Sequence, residues 1–162
     1  MRPSDQKNQP FEEPPLSEIP GISRMHVAGM EATNDDMVWI GAGMHQLLLR
    51  TVGRKSGNEH KVALPYWIDD DGSRVVVGSF AGHDKHPAWY LNLTDRTANP
   101  QVQLRVQNRE PFWADAQVLE GADYDRVWAA LCADRPYYED YQSRTSRKLP
   151  LVRFVEDRKS VV

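Results

Sequence analysis

The chain of 162 residues contains one cysteine, Cys132. A single thiol excludes an internal disulfide and any metal or cluster site built from several cysteines. It accords with a reducing compartment, although secreted proteins without disulfides share that count. Long apolar runs are also absent. No stretch approaches the roughly 20 residues that a membrane-spanning helix needs. The opening "MRPSDQKNQPFEEPP" has no apolar core of the secretory type. A cytoplasmic location is therefore expected, with peripheral membrane contact through a short amphipathic segment left open. Basic charge is not in excess either. A formal net charge of −3 and an isoelectric point near 5.9 argue against nucleic-acid binding.

Several reactive signatures are missing as well. There is no H-E-x-x-H pair, no paired Cys/His spacing and no G-x-S-x-G elbow. The stretch "SFAGHDKHPAWYLNL" (79–93) does gather His83, Asp84, Lys85 and His86. His83 and His86 are three apart, but Pro87 disfavours helical geometry at His86. A third ligand would have to be Asp84, or His26, His45 or His60 from elsewhere. No metal is expected. Cys132 belongs to the apolar side of a helical pattern and reads as a buried structural thiol.

What is present has a clear layout. Residues 1–24 hold five of the eleven prolines and read as a flexible arm, with 25–162 as a single domain. Residues 30–46 suggest a short, broken helix. "LLLRTV", "KVALPYWI" and "RVVVGSF" are then strand-like runs separated by the turns "GRKSG" and "DDDG". Pro65 marks the second run as an edge or a bend. "HPAWYLNLTDRTANP" fits a short helix, with Trp89 and Leu93 on one side. Val102, Leu104 and Val106 alternate strictly, and Phe112, Ala114, Ala116 and Val118 share a face beyond the turn "NRE". Tyr124, Val127, Trp128 and Leu131 trace an amphipathic helix. "PYYEDYQSR" is a second short helix, and "LPLVRF" a closing strand. The fold class is α+β: about six mostly antiparallel strands in a closed or nearly closed barrel, with three or four packed helices.

Two segments carry chemical interest. The glycines of "GRKSG" allow a tight turn with exposed amides, beside Arg54, Lys55 and Ser56. Such a turn holds a phosphate or carboxylate, or is a solvated hairpin tip. It lacks the P-loop spacing. Tyr138 and Tyr141 share a helix face, either packing a core edge or walling a pocket.

Taken together, "RTVGRKSG", "SFAGHDKHPAWYLNLTDRTANPQVQL" and "PYYEDYQSRTSRKLPLVRF" resemble the deazaflavin (F-420)-dependent nitroreductase and quinone reductase family of actinobacteria. The resemblance runs from about residue 47 to 154. It implies a split β-barrel that binds coenzyme F-420, an 8-hydroxy-5-deazaflavin with an anionic tail. By that similarity Arg54, Lys55 and Ser56 meet the tail. Lys61, Val62, Ala63, Leu64, Pro65 and Tyr66 line the tail and ring site. Val77, Gly78, Ser79 and Phe80, with Ala88, Trp89, Tyr90, Leu91 and Asn92, complete the pocket. The start of the helix in "HPAWYLNL" adds a dipole that favours the tail. Tyr138 covers the ring, and Tyr141 and Ser79 face the substrate.

The chain departs from the family pattern in three places. Phe80-Ala81-Gly82 stands where relatives often have a basic residue and two glycines, with Lys85 as the substitute cation. "NEHKVALP" carries a one-residue shift. Arg135 precedes Pro136 where relatives carry an aromatic. The activity implied is hydride transfer from reduced F-420 to an electron-poor acceptor: a quinone, an activated enone or a nitroaromatic. Tyr138, Tyr141 or solvent would supply the proton, and Ser79 would meet the developing oxyanion. The rivals are a non-catalytic F-420 carrier and an FMN-dependent reductase on the same barrel. A monomer and a homodimer are equally open.

Overall fold

The computed structural model describes residues 19–158. Five α-helices are seen: α1 (Ile19–Ala32), α2 (Asp36–Trp39), α3 (Ala88–Thr94), α4 (Gly121–Asp134) and α5 (Tyr137–Ser143). The strands are β1 (Ile40–Gly41), β2 (Met44–Val52), β3 (Glu59–Pro65), β4 (Trp67–Ile68), β5 (Arg74–Val77), β6 (Val102–Arg105), β7 (Phe112–Val118) and β8 (Leu151–Glu156).

One antiparallel sheet contains them all. Its order is β1-β2-β6-β7-β8-β5-β4, with β3 also paired to β2, from Gln46↔Pro65 to Val52↔Glu59. β3 and β4 are two halves of one segment, separated by Tyr66 alone. That segment pairs with β2 at one end and with β5 at the other. The edges of the sheet are thus joined by the chain itself, and the sheet curls into a split barrel of six principal strands. The break falls after Pro65, which has no N–H to offer a ladder.

The alternation of side chains along the strands decides what fills the barrel. Leu47, Leu49, Leu64, Val76, Leu104, Ala114, Val152 and Phe154 form its interior, and Trp89 and Leu93 of α3 join them. Each fully buried Leu or Val there is worth roughly 1.5–3 kcal/mol relative to exposure. The opposite faces carry the helices. Trp67, Val75, Val77 and Leu151 pack against Tyr124, Val127 and Leu131 of α4 and Tyr138 and Tyr141 of α5. Leu48 packs against Val27, Met30 and Trp39 of α1 and α2. Cys132 is buried in the α4 cluster, and burial pushes its thiol up to about 12. Asp69, only 4% exposed, is held by Arg126 at 2.9 Å and by Arg153 at 3.4 Å, which ties the end of β4 to α4 and β8.

The amino-terminal expectation needs correction. Residues 19–24 are the first turns of α1 rather than part of an extended arm, and 1–18 lie outside the described residues. The broken helix expected over 30–46 is the end of α1, the four-residue α2 and then a hairpin. Its two-residue turn puts Ala42 at φ 50° and Gly43 at φ 77°. Both values are those of a type I′ turn, which alanine rarely enters.

Candidate functional site

A cavity of about 920 Å³ lies between α1, β3 and α3. β3 contributes every residue from Glu59 to Pro65. Across from it are Val77 at the end of β5, Ser79 and Phe80 beyond it, then Pro87 and, in α3, Ala88, Trp89 and Asn92. Tyr138 of α5 closes one side, and α1 covers another with Ser23, Arg24, His26 and Val27. Val62, Ala63, Leu64, Pro65, Val77, Ala88 and Trp89 make an apolar strip, while Lys61 and His60 give one end a polar character. Lys61 Nζ lies 2.9 Å from Glu31 of α1 and 3.4 Å from Glu59. The Glu31 hydrogen bond, against the opposing effect of burial, raises the affinity of Lys61 for its proton. The pair is nearly half exposed on the Glu31 side, so it contributes under about 1 kcal/mol.

The loop before β3 adjoins this polar end. Gly53 N–H donates to the Asn58 carbonyl and Gly57 N–H to the Gly53 carbonyl, at 2.8 and 2.9 Å. A Cβ on Gly53 would lie 2.6 Å from Ser56 Oγ and 2.7 Å from His60 Nε2, so a larger residue there would have to displace both side chains. Lys55 and Ser56 are exposed. Arg54 turns inward, donating to Asn92 Oδ1 from its backbone (3.2 Å) and from Nη1 (2.9 Å). Asn99 binds the Asn92 carbonyl and both backbone groups of Val52. These two buried amides lock α3 to the end of β2 and to the basic loop.

The rim at Ser79–Phe80 is fixed from the other side. Arg147 donates to the carbonyls of His83, Gly78 and Ser79, each at 2.8 Å, and Nη1 lies 3.1 Å from His86 Nδ1. Asp84 accepts from the Thr145 hydroxyl at 2.9 Å. Phe80 and Ala81 are held at φ 43° and 52°, the left-handed region that non-glycine residues enter at a cost. A Cβ on Gly82 would meet the Tyr141 carbonyl at 2.6 Å, so the segment packs tightly on α5. Among the described residues, no three or more His, Cys, Asp or Glu side chains converge as metal ligands. The charged string 83–86 is a loop anchored by Arg147 and Thr145.

Comparison with known proteins settles the relationship. The family model described as F420H(2)-dependent quinone reductase matches residues 22–156. The chain belongs to that family. An F420H(2)-dependent quinone reductase of Mycobacterium tuberculosis is 34% identical over 135 residues, covering 81% of this chain and 87% of that one. A solved F420-H2-dependent reductase is 31% identical with a TM-score of 0.56, covering 68% of this chain and 93% of the other. A further solved structure, described as a domain-swapped dimer, is 27% identical with a TM-score of 0.59. It covers 82% of this chain and 96% of that one.

The residues singled out from sequence divide into three groups. Lys61 to Pro65, Val77, Ser79, Phe80, Ala88, Trp89, Asn92 and Tyr138 all line the cavity. Arg54, Lys55 and Ser56 stand beside it, linked through Asn92 and His60. The others face elsewhere. Tyr66 packs inside the barrel, with the Arg74 guanidinium 5.4 Å from its ring centre. Gly78 is pressed against Pro150, and the Tyr90 ring packs against His86 at 4.8 Å. Leu91 is a half-buried residue of α3 outside the cavity lining. Tyr141 is buried behind Tyr138, edge-on to it at 6.1 Å. The face of α1, Thr51, Glu59, His60 and Pro87 also line the cavity and were not expected in a cofactor site, His26 and His60 having been weighed only as metal ligands. Their one legible signal was the position of Glu59 and His60, immediately before the predicted Lys61.

Proposed function

We propose that this chain reduces quinones at the cavity beneath α1, using reduced coenzyme F-420. The observation that carries this reading is the union of an apolar slot with a basic glycine turn at its β3 end. Its volume is within the usual range for sites of organic ligands. The residues present fit the coenzyme. The strip Val62–Pro65, with Val77, Ala88 and Trp89, suits the face of a flat deazaflavin ring. Lys55, Ser56 and Lys61 suit the phosphate and carboxylates of its tail, with Arg54 holding Asn92 in place.

When bound, reduced F-420 supplies a hydride from C5 of its deazaflavin ring. A quinone takes up that hydride and one proton to become the hydroquinone. The residues of the chain position the acceptor and exclude water from the slot. The Ser79 hydroxyl makes no hydrogen bond among the described residues and is available to the acceptor oxygen as negative charge develops there. Tyr138, or solvent, supplies the proton. Tyr141 supports Tyr138 from behind rather than meeting the acceptor. The family membership supports quinones over activated enones and nitroaromatics as acceptors, and the domain-swapped relative makes a homodimer the first assembly to test.

Fluorescence titration with F-420 and, separately, with FMN tests the cofactor assignment. Selective F-420 binding is expected. Equal or tighter FMN binding would overturn it.

A further inference from the structure

The polar end of the cavity, which suits the coenzyme's anionic tail, is itself lined by carboxylates. Glu31 of α1 and Glu59 of β3 both belong to the wall, beside Lys61. Lys61 Nζ lies 2.9 Å from Glu31 Oε2 and 3.4 Å from Glu59 Oε1. Glu59 is held in turn by Arg50 Nε at 2.7 Å. Two cations thus face two carboxylates, and the cluster carries no net charge. Lys55 on the neighbouring turn differs, being exposed and without a hydrogen-bonding or ionic partner among the described residues. An incoming anion finds Lys55 free and Lys61 already engaged.

The sheet explains part of this cluster. Arg50 and Lys61 are opposite each other on β2 and β3, and Glu59 shares their face two places back. Glu31 comes from outside the sheet. It follows Val27 and Met30 on α1, which pack with Leu48 and Ala63 of that same face. α1 is also tied through His26, whose Nε2 lies 2.6 Å from the Val38 carbonyl. The helix therefore keeps its place without the Glu31 contact. Glu31 and Lys61 are both partly exposed, and such a pair is weak. A phosphate or a pair of carboxylates brings more charge to the ammonium and competes well with it. A displaced Glu31 side chain is not stranded. With Lys61 it also borders a smaller cavity of about 80 Å³, lined by Arg50 and Arg105.

We propose that Glu31 is an affinity-determining residue of the coenzyme site, a built-in competitor for Lys61. The first anionic group of the tail meets Lys55 and the amides of the turn. The next takes Lys61 from Glu31, and Glu31 returns to Lys61 when the tail leaves. Glu31 thus holds down the affinity for a coenzyme that has to depart after each hydride transfer. The proposal rests on the reading of the cavity as an F-420 site, which titration of the wild-type protein tests separately and first. Absence of wild-type binding would overturn that reading and the proposal with it.

Glu31→Gln, Lys61→Gln and the double variant are then titrated with F-420. The probe for comparison is the deazaflavin fragment that lacks the phosphate and carboxylates. Glu31→Gln tightens F-420 binding by about threefold or more at low salt, and the gain shrinks as salt is added. Binding of the tail-less fragment changes by less than about twofold, since it carries no charge for Lys61 to meet. In the Lys61→Gln background, Glu31→Gln brings little further gain. Unchanged or weaker F-420 binding by Glu31→Gln would overturn the proposal. So would an equal gain for the tail-less fragment, which would make Glu31 a tie on α1 and not a competitor. An equal gain in the absence of Lys61 would also overturn it, because the effect would then be that of net charge alone.

Discussion

Arg147 Nη1 lies 3.1 Å from His86 Nδ1 while its other nitrogens hold the carbonyls of Ser79 and His83. One side chain after α5 thus fixes the rim that presents Ser79 and Phe80 to the cavity. Arg147→Met removes these donors and leaves several carbonyls short of partners. A loss of about 2–4 kcal/mol of stability is expected, measured by urea unfolding. Weaker F-420 binding should accompany it.

The same contact sets a pH dependence. Arg147 must donate to Nδ1, so the neutral imidazole carries its proton on Nε2. Burial, and then the Arg147 charge, lower the affinity of His86 for a second proton. A histidine whose folded pKa is depressed contributes stability that is complete above its unfolded value of about 6.5 and is lost as pH falls below it. The protection of residues 78–86 against amide hydrogen exchange, taken relative to the intrinsic rate at each pH, should therefore fall as the pH drops below about 6.5. The His86→Gln variant should lose most of that dependence.

Lys55 is exposed on the glycine turn and has no hydrogen-bonding or ionic partner among the described residues. Replacing it with alanine should leave folding unchanged and weaken F-420 binding by about tenfold, as the loss of one charge-assisted contact implies. The difference should shrink with added salt. Fluorescence titration at two ionic strengths checks both points.

Tyr138 is only 3% exposed yet contributes to the cavity wall. Tyr138→Phe keeps the ring and removes the hydroxyl. Turnover should fall by about tenfold or more, with F-420 affinity within about twofold. Steady-state kinetics beside a binding titration separates the two effects, and an unchanged kcat would remove Tyr138 from the reaction.

Much of the barrel was legible because half-buried strands force period two on their side chains. Val102, Leu104, Ala114 and Ala116 point inward as their alternation indicated. α4 was legible for the matching reason, with Tyr124, Val127 and Leu131 buried at helical spacing. α1 was not. Among its residues of described burial, Val27 and Met30 alone are buried hydrophobics, a stripe too narrow to stand out beside Pro20 and Gly21. The residues it adds to the cavity were missed with it. Tyr66 and Tyr141 show a different limit. An aromatic ring serves a core and a pocket wall equally well, and only the curl of the sheet and the packing of α5 decide between them. Arg54 was grouped with Lys55 and Ser56 on the basic turn, but its hydrogen bonds to Asn92 depend on a contact spanning 38 positions. No local pattern encodes that distance.

The most direct test of the account mixes the protein with reduced F-420 and menadione and follows recovery of the oxidised coenzyme's absorbance. Protein-dependent recovery that saturates with menadione is the predicted result. Tight, selective F-420 binding with no turnover across several quinones would contradict it and leave the chain a carrier of the coenzyme.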